Sequence, residues 1–271
     1  MPELPEVETI ARGLHNDLPG RVVTDARVSW PRTIHGMPPA AFADRIRGQR
    51  IDSVWRRAKY VVCDLSDDVL LIHLRMTGRL YVTRPDQTHE ADRWVRVTLA
   101  LNDGRELRFS DSRKFGRMYL VRAADEVLGG LGPEPLGDSF TPDVFRQSLA
   151  SRSGMIKPLL LNQSFLAGVG NIYADEALWQ ARIDPRRRAD TLSTDEVDRL
   201  YQAVRLVLQA GVEHEGASVS WYRKADGTRG EQQNHFNAYD RAGEPCPRCG
   251  EPIVKIRLGQ RGTHLCPRCQ V

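Results

Sequence analysis

A chain of 271 residues carrying a net charge of +4 is long enough to bury its own core and points to one large or two modest domains. No stretch approaches the ~20 apolar residues of a membrane span, and no basic run followed by an apolar one marks a secretory leader, so a cytosolic protein is expected. The mild basic excess permits nucleic-acid binding without requiring it.

The chain opens Met1-Pro2-Glu3-Leu4-Pro5-Glu6-Val7-Glu8. Val7, Ile10, Ala11, Leu14 and Leu18 follow at helical spacing, which places Pro2 and Glu3 just ahead of a helix. Once Met1 is removed, Pro2 carries an α-amine that titrates near ~8, against ~10.4 for lysine, so far more of it is neutral and nucleophilic at pH 7. A carboxylic acid beside it, Glu3, would donate a proton to a leaving oxygen if burial raised its pKa. The plainer alternative is an acidic first helical turn, and the same alternative applies to Glu6, one turn further on.

A β-rich region comes next. Alternating segments run over 22–28, 51–65, 69–74, 79–83, 95–101, 106–110 and 118–121, divided by turn-formers such as Ser66-Asp67-Asp68 and Asn102-Asp103-Gly104. Antiparallel sheets packed as a sandwich are expected. Within this region Cys63, in an apolar run, reads as a small core residue.

The character changes near residue 130. A turn-rich connector, Gly129 to Gly137, leads into helical patterns near 142–152, 155–162, 170–182 and 194–214, with credible starts at Thr141-Pro142 and Ser193-Thr194. A polar stretch from Arg223 to Asn234 reads as a mobile loop. Cys246, Cys249, Cys266 and Cys269 then form C-x2-C-x16-C-x2-C, the spacing of a four-thiolate site for one structural Zn²⁺. Five basic residues against one acidic give 246–271 an excess as large as that of the whole chain.

Four motifs in order resemble the bacterial formamidopyrimidine-DNA glycosylase family. They are the Pro-Glu-Leu-Pro-Glu-Val-Glu start, Arg57-Ala58-Lys59-Tyr60, Gly168-Val169-Gly170-Asn171-Ile172-Tyr173-Ala174-Asp175-Glu176-Ala177-Leu178, and the terminal four-cysteine ribbon. The resemblance implies an α+β fold with an N-terminal helix and antiparallel β-sandwich over 1–131. A helix-two-turns-helix domain over 132–234 would include a loop that covers the lesion, and a zinc ribbon would occupy 235–271. It implies a DNA repair enzyme that excises oxidised purines, chiefly 8-oxoguanine and formamidopyrimidines, from double-stranded DNA and then cleaves the abasic strand. A monomer in the bacterial cytosol is expected.

The resemblance also distributes roles. Pro2 would attack the sugar C1′ and Glu3 would protonate the ring oxygen, with Glu6 orienting the site. Lys59 and Arg261 would hold phosphates beside the lesion and assist the chemistry. Extruding a base costs a few kcal/mol and leaves a void. Met76, Arg113 and Phe115 would fill it, although by residue type alone two of them read as core and one as surface charge. Asn171 would grip phosphate at a helix start, and Arg152 and His73 would contact DNA.

The pattern also has departures. Arg93-Trp94-Val95-Arg96 stands where the family commonly has a His-x-His cluster, Arg75 stands where glycine is usual, and Tyr239-Asp240-Arg241 replaces a typical Tyr-Gly-Arg. The loop 218–234 does not disclose which residues read the base. Two other readings compete: an endonuclease VIII-type glycosylase for oxidised pyrimidines, whose usual start is Pro-Glu-Gly-Pro-Glu, and a zinc-ribbon DNA-binding protein without catalysis.

Overall fold

The apolar stripe read at the N-terminus forms helix α1 (Leu4–His15), with Val7, Ile10, Ala11 and Leu14 buried. This computed structural model describes residues 1–271. The strands that follow are β1 (Val23–Val28), β2 (Ile34–His35), β3 (Ile51–Arg57), β4 (Tyr60–Leu65), β5 (Val69–His73), β6 (Gly78–Thr83), β7 (Val95–Leu101), β8 (Glu106–Asp111) and β9 (Arg117–Val121). They make a four-stranded sheet in the order β1-β7-β8-β6 and a five-stranded sheet in the order β2-β9-β5-β4-β3. All neighbours are antiparallel except the short β2–β9 pair. One apolar core joins both sheets, with Leu80, Val97 and Phe109 from the first and Val61, Leu70 and Met118 from the second, capped by Ile10 and Leu14 of α1. Each such side chain contributes about 1.5–3 kcal/mol by leaving water.

Two local features differ from the sequence expectation. The segment 51–65 is not one strand but the β3–β4 hairpin, turned at Ala58, whose φ is 52°. No Gly, Asn or Asp announces that turn: the left-handed position is taken by a buried alanine, whose carbonyl accepts from Arg56 Nη1. Between β2 and β3 lies an unpredicted helix, α2 (Pro39–Ile46), which buries Phe42 and Ile46 one turn apart. Two anchors are too few to stand out as a period.

Helix α3 (Asp125–Leu128) ends this first unit, which comprises Met1–Gly130 together with His214–Glu231. The segment 214–231, which the sequence reading joins to the helical region, packs with the β-rich unit. Tyr222 sits in its core, and the Glu231 N–H donates to the His214 carbonyl, closing the segment's two ends (2.8 Å).

The second unit comprises Leu131–Glu213 and Gln232–Val271. It holds α4 (Pro142–Ala150), α5 (Ile156–Leu161), α6 (Asn171–Ala181), α7 (Thr194–Glu213) and the hairpin β10 (Val254–Leu258)–β11 (Arg261–Leu265). Thr141 caps α4, accepting from the Val144 N–H. Helix α6 is buried almost all round. Its Glu176 carboxylate accepts the N–H groups of Asn237, Ala238 and Tyr239 at 2.8–2.9 Å, fastening the chain on its way to the ribbon. Burial raises the Glu176 pKa even though these donors pull it down. No helix is long and apolar enough to cross a membrane.

Candidate active site and nucleic-acid contacts

The first turn of α1 is organised by its own carboxylates. Glu3 occupies the N-cap position, and its N–H donates to Oε2 of Glu6 at 2.7 Å. Oε1 of the same Glu6 accepts the Ala217 N–H at 2.8 Å, so one carboxylate ties the N-terminal turn to the 214–231 segment. Gly216 makes this approach possible: its φ is +80°, and a Cβ there would lie 2.9 Å from Glu6 Cγ. Pro2, Glu3 and Glu6 are all buried.

One turn further, Glu8 accepts from Arg56 Nε at 2.7 Å, and Arg56 Nη1 donates to the Ala58 carbonyl. Burial works to raise the Glu8 pKa, but the Arg56 and Arg12 guanidinium groups hold it below the usual carboxylate range. This relay fastens α1 to the β3–β4 turn. Lys59 sits in that turn and is buried, an unusual place for an ammonium.

Met76 and Phe115 are 42% and 47% exposed, high for such large apolar side chains. They lie on separate loops, after β5 and β8, yet Arg113 joins them: its Nη1 is 3.2 Å from Met76 Sδ and its guanidinium carbon 4.9 Å from the Phe115 ring centroid. The loop is rooted on Asp111, which accepts from Thr77 Oγ1 and from the N–H groups of Arg113 (3.2 Å) and Gly116 (2.7 Å). Gly116 is required because a Cβ would fall 2.2 Å from the Phe109 ring. Thus the three residues assigned to void filling form one exposed, preassembled cluster.

His73 lies inward. Its Nδ1 accepts the Arg75 N–H at 3.0 Å and its ring meets Tyr60 edge-on at 4.7 Å. Burial, with Arg75 and Lys59 adding repulsion, pushes its pKa down to about 3, so the ring is neutral at physiological pH. Arg75 itself has φ 54° and Asp240 has φ 59°, which explains why glycine is usual at both positions.

In the second unit, Asn171 opens α6 and its Nδ2 donates to the Gly262 carbonyl at 3.0 Å. That carbonyl follows Arg261, which is exposed at the β10–β11 tip beside the left-handed residues Gly259 and Gln260. Sequence reasoning missed a second hook on the same carbonyl. Lys157 Nζ donates to Gly262 O (3.1 Å) and Thr263 Oγ1 (2.7 Å) and pairs with Asp175 Oδ1 (2.6 Å). Asp175 Oδ2 in turn accepts the His264 N–H at 2.9 Å. The signal was a lysine inside the apolar run Ile156-Lys157-Pro158-Leu159-Leu160. Arg152 is exposed in the turn after α4.

The four cysteine sulfurs lie within 4.8 Å of one another. A tetrahedral zinc with Zn–S bonds of about 2.3 Å requires sulfurs about 3.8 Å apart, which this cluster accommodates for one ion. The Trp179 indole N–H donates to Cys246 Sγ at 3.4 Å, a neighbour suited to a thiolate.

Comparison with known proteins agrees along the whole chain. The formamidopyrimidine-DNA glycosylase N-terminal domain matches residues 1–118 and the H2TH domain of the same family matches 131–223. A zinc finger found in FPG and IleRS matches 243–271. The formamidopyrimidine-DNA glycosylase of Herpetosiphon aurantiacus is 50% identical with full coverage of both chains. That of Symbiobacterium thermophilum is 47% identical over all of this chain and 89% of its own. Among solved structures, a point mutant of the Lactococcus lactis FPG in complex with Fapy-dG containing DNA superposes with a TM-score of 0.92 at 34% identity, covering 99% of each chain. MutM in complex with DNA containing carbocyclic 8-oxo-G gives 0.91 at 35% identity, again with 99% coverage of each. An N-terminal helix on a β-sandwich, an H2TH helical region and a ribbon of four metal-ready cysteines thus coincide with full-length likeness, and the chain belongs to the formamidopyrimidine-DNA glycosylase family.

Proposed function

We propose that this protein excises oxidised purines from double-stranded DNA and then cleaves the abasic strand by β,δ-elimination. The observation that carries the reading is full-length similarity to proteins solved on Fapy-dG and 8-oxo-G DNA, at TM-scores of 0.92 and 0.91. In this reading, Pro2 is the nucleophile. Its nitrogen bonds to C1′ as the base departs with the electrons of the glycosidic bond, and Glu3 protonates the ring oxygen as the C1′–O bond opens. The resulting iminium acidifies C2′–H, so loss of that proton expels the 3′ phosphate, and a second elimination expels the 5′ phosphate. Glu6 orients the turn that carries both groups. While Met1 is attached, the Pro2 nitrogen is a tertiary amide and cannot attack, so the active form begins at Pro2.

Lys59, Asn171 and Arg261 bind phosphates around the extruded nucleotide and the exposed Arg152 adds a further contact, whereas His73, buried and neutral, supports the loop through the Arg75 N–H and is not itself offered to DNA. The exposed cluster of Met76, Arg113 and Phe115 supports insertion into the void, because exposed side chains of this size have no packing reason to be there. The zinc ion held by Cys246, Cys249, Cys266 and Cys269 would stabilise the ribbon and take no part in bond breaking. The protein acts as a monomer in the bacterial cytoplasm.

The test is covalent trapping. Duplexes carrying 8-oxoguanine opposite cytosine, or an oxidised thymine, are incubated with the protein and borohydride, and adducts are resolved by mass. Trapping on the 8-oxoguanine duplex through Pro2 is expected. No adduct with either duplex removes the enzyme reading, and trapping on the thymine lesion alone moves it to the pyrimidine branch.

A further inference from the structure

The segment Arg93-Trp94-Val95-Arg96 has no role in the reading above, yet its side chains are firmly placed. Trp94 ends a short 3-10 turn (Glu90–Trp94) ahead of β7. Its ring meets that of Trp221 edge-on, with centroids 5.6 Å apart and planes at 89°, the arrangement that aromatic quadrupoles favour. The Arg93 guanidinium carbon lies 3.8 Å from the Trp94 ring centroid. Arg96 Nε donates to the Asp111 carbonyl at 2.9 Å, at the root of the Arg113–Phe115 loop.

Trp221 is 44% exposed, a large indole resting at the surface against another indole. It belongs to the turn 217–222, which is fastened from inside as well. The Ala217 N–H binds Glu6, Ser218 Oγ donates to the Tyr222 carbonyl, and the buried Tyr222 hydroxyl donates to the Glu215 carbonyl. The turn therefore has an inner anchor at Glu6 and an outer one at Trp94.

We propose that Trp94, faced by Arg93, is a positioning residue for the reaction: through Trp221 it holds the 217–222 turn where the Ala217 N–H caps Glu6. The other oxygen of Glu6 holds the Glu3 N–H, so the outer anchor steadies the turn that carries Pro2 and Glu3. This rests on the reading that those two residues carry the chemistry. Neither indole is among the residues assigned to the chemistry. Without the pair, Trp221 loses its partner, the turn populates other conformations, and Glu6 spends less time in place. The bond-breaking step slows, while DNA capture by the phosphate-binding residues is unchanged.

The experiment compares Trp94→Ala, Trp94→Phe, Trp221→Ala and the Trp94→Ala/Trp221→Ala double variant in the full chain with the wild type. In the free protein, hydrogen exchange of the 216–223 amides should quicken about 5-fold in Trp94→Ala, the fold-change expected for loss of one aromatic pair. The double variant should add nothing further, because both single changes remove the same contact. In single-turnover excision of 8-oxoguanine, Trp94→Ala should lower the rate constant about 5-fold at unchanged half-saturating enzyme concentration, and Trp94→Phe should restore most of it. Unchanged exchange in Trp94→Ala, faster exchange with unchanged excision, or a phenylalanine variant as slow as the alanine one would each overturn the proposal. A wild-type protein inactive on this duplex would instead overturn the functional reading, and the exchange arm would still decide whether the pair holds the turn.

Discussion

Replacing His73 with asparagine should flatten the dependence of stability on pH. The imidazole is buried, its Nδ1 accepts the Arg75 N–H, and burial with Arg75 and Lys59 pushes its pKa from 6.5 down to about 3. A depressed folded-state pKa means that the unfolded chain binds the proton more tightly. The stabilising contribution is complete above the unfolded value of 6.5 and is lost as pH falls from there toward the folded value. Between pH 7 and pH 5 the linkage integral for one such group is about 2 kcal/mol. Asparagine keeps an acceptor near the position of Nδ1 for the Arg75 N–H but does not titrate. Urea unfolding of both proteins at pH 7 and pH 5, followed by indole fluorescence, provides the comparison. The wild type should lose about 2 kcal/mol more than the variant over this interval. Equal losses would mean that His73 is protonated as readily in the folded as in the unfolded protein, and the argument from burial would fail.

Other consequences follow from geometry. Lys157→Met removes the lysine partner of Asp175 from a site where the two side chains are 1% and 0% exposed, and should cost about 3–5 kcal/mol in thermal or urea unfolding of the second unit. Asp175→Asn in the same chain should recover part of that loss, and additive single effects would contradict the pairing. Arg75→Gly relieves a left-handed residue worth about 1–2 kcal/mol and adds roughly 0.5–1 kcal/mol of chain entropy, so a small net gain in melting temperature is expected. Metal analysis should find one zinc per chain. Strong chelators or Cys266→Ser should remove it and abolish DNA binding, whereas full retention of binding by metal-free protein would show that the ribbon folds unaided.

Much of the candidate site could be read from the sequence because the residues proposed for its chemistry fall in short motifs. Pro2 and Glu3 adjoin, Lys59 stands in a four-residue run, and the cysteines keep the spacing that one tetrahedral ion imposes. The helix stripe of Val7, Ile10, Ala11 and Leu14 and the alternation of the strands were equally plain, since backbone periodicity alone produces them. Arg75 and Asp240 could be noticed as departures, but only their positive φ angles gave the departures a physical meaning.

What was hidden depends on partners far along the chain. Ala217 lies 211 residues from the Glu6 it caps, Thr263 lies 106 from the Lys157 it accepts from, and Trp221 meets Trp94 across the same kind of gap. No period or local spacing encodes such pairs, because they form only once distant segments pack together. Sequence alone determined which residue types were available for chemistry and which faces of helices and strands had to be buried. Tertiary packing decided that Lys157 would be an interior hook, that Met76, Arg113 and Phe115 would meet at the surface, and that one carboxylate would bind two segments at once: a buried charge or a strained turn persists only where the rest of the fold supplies its partners.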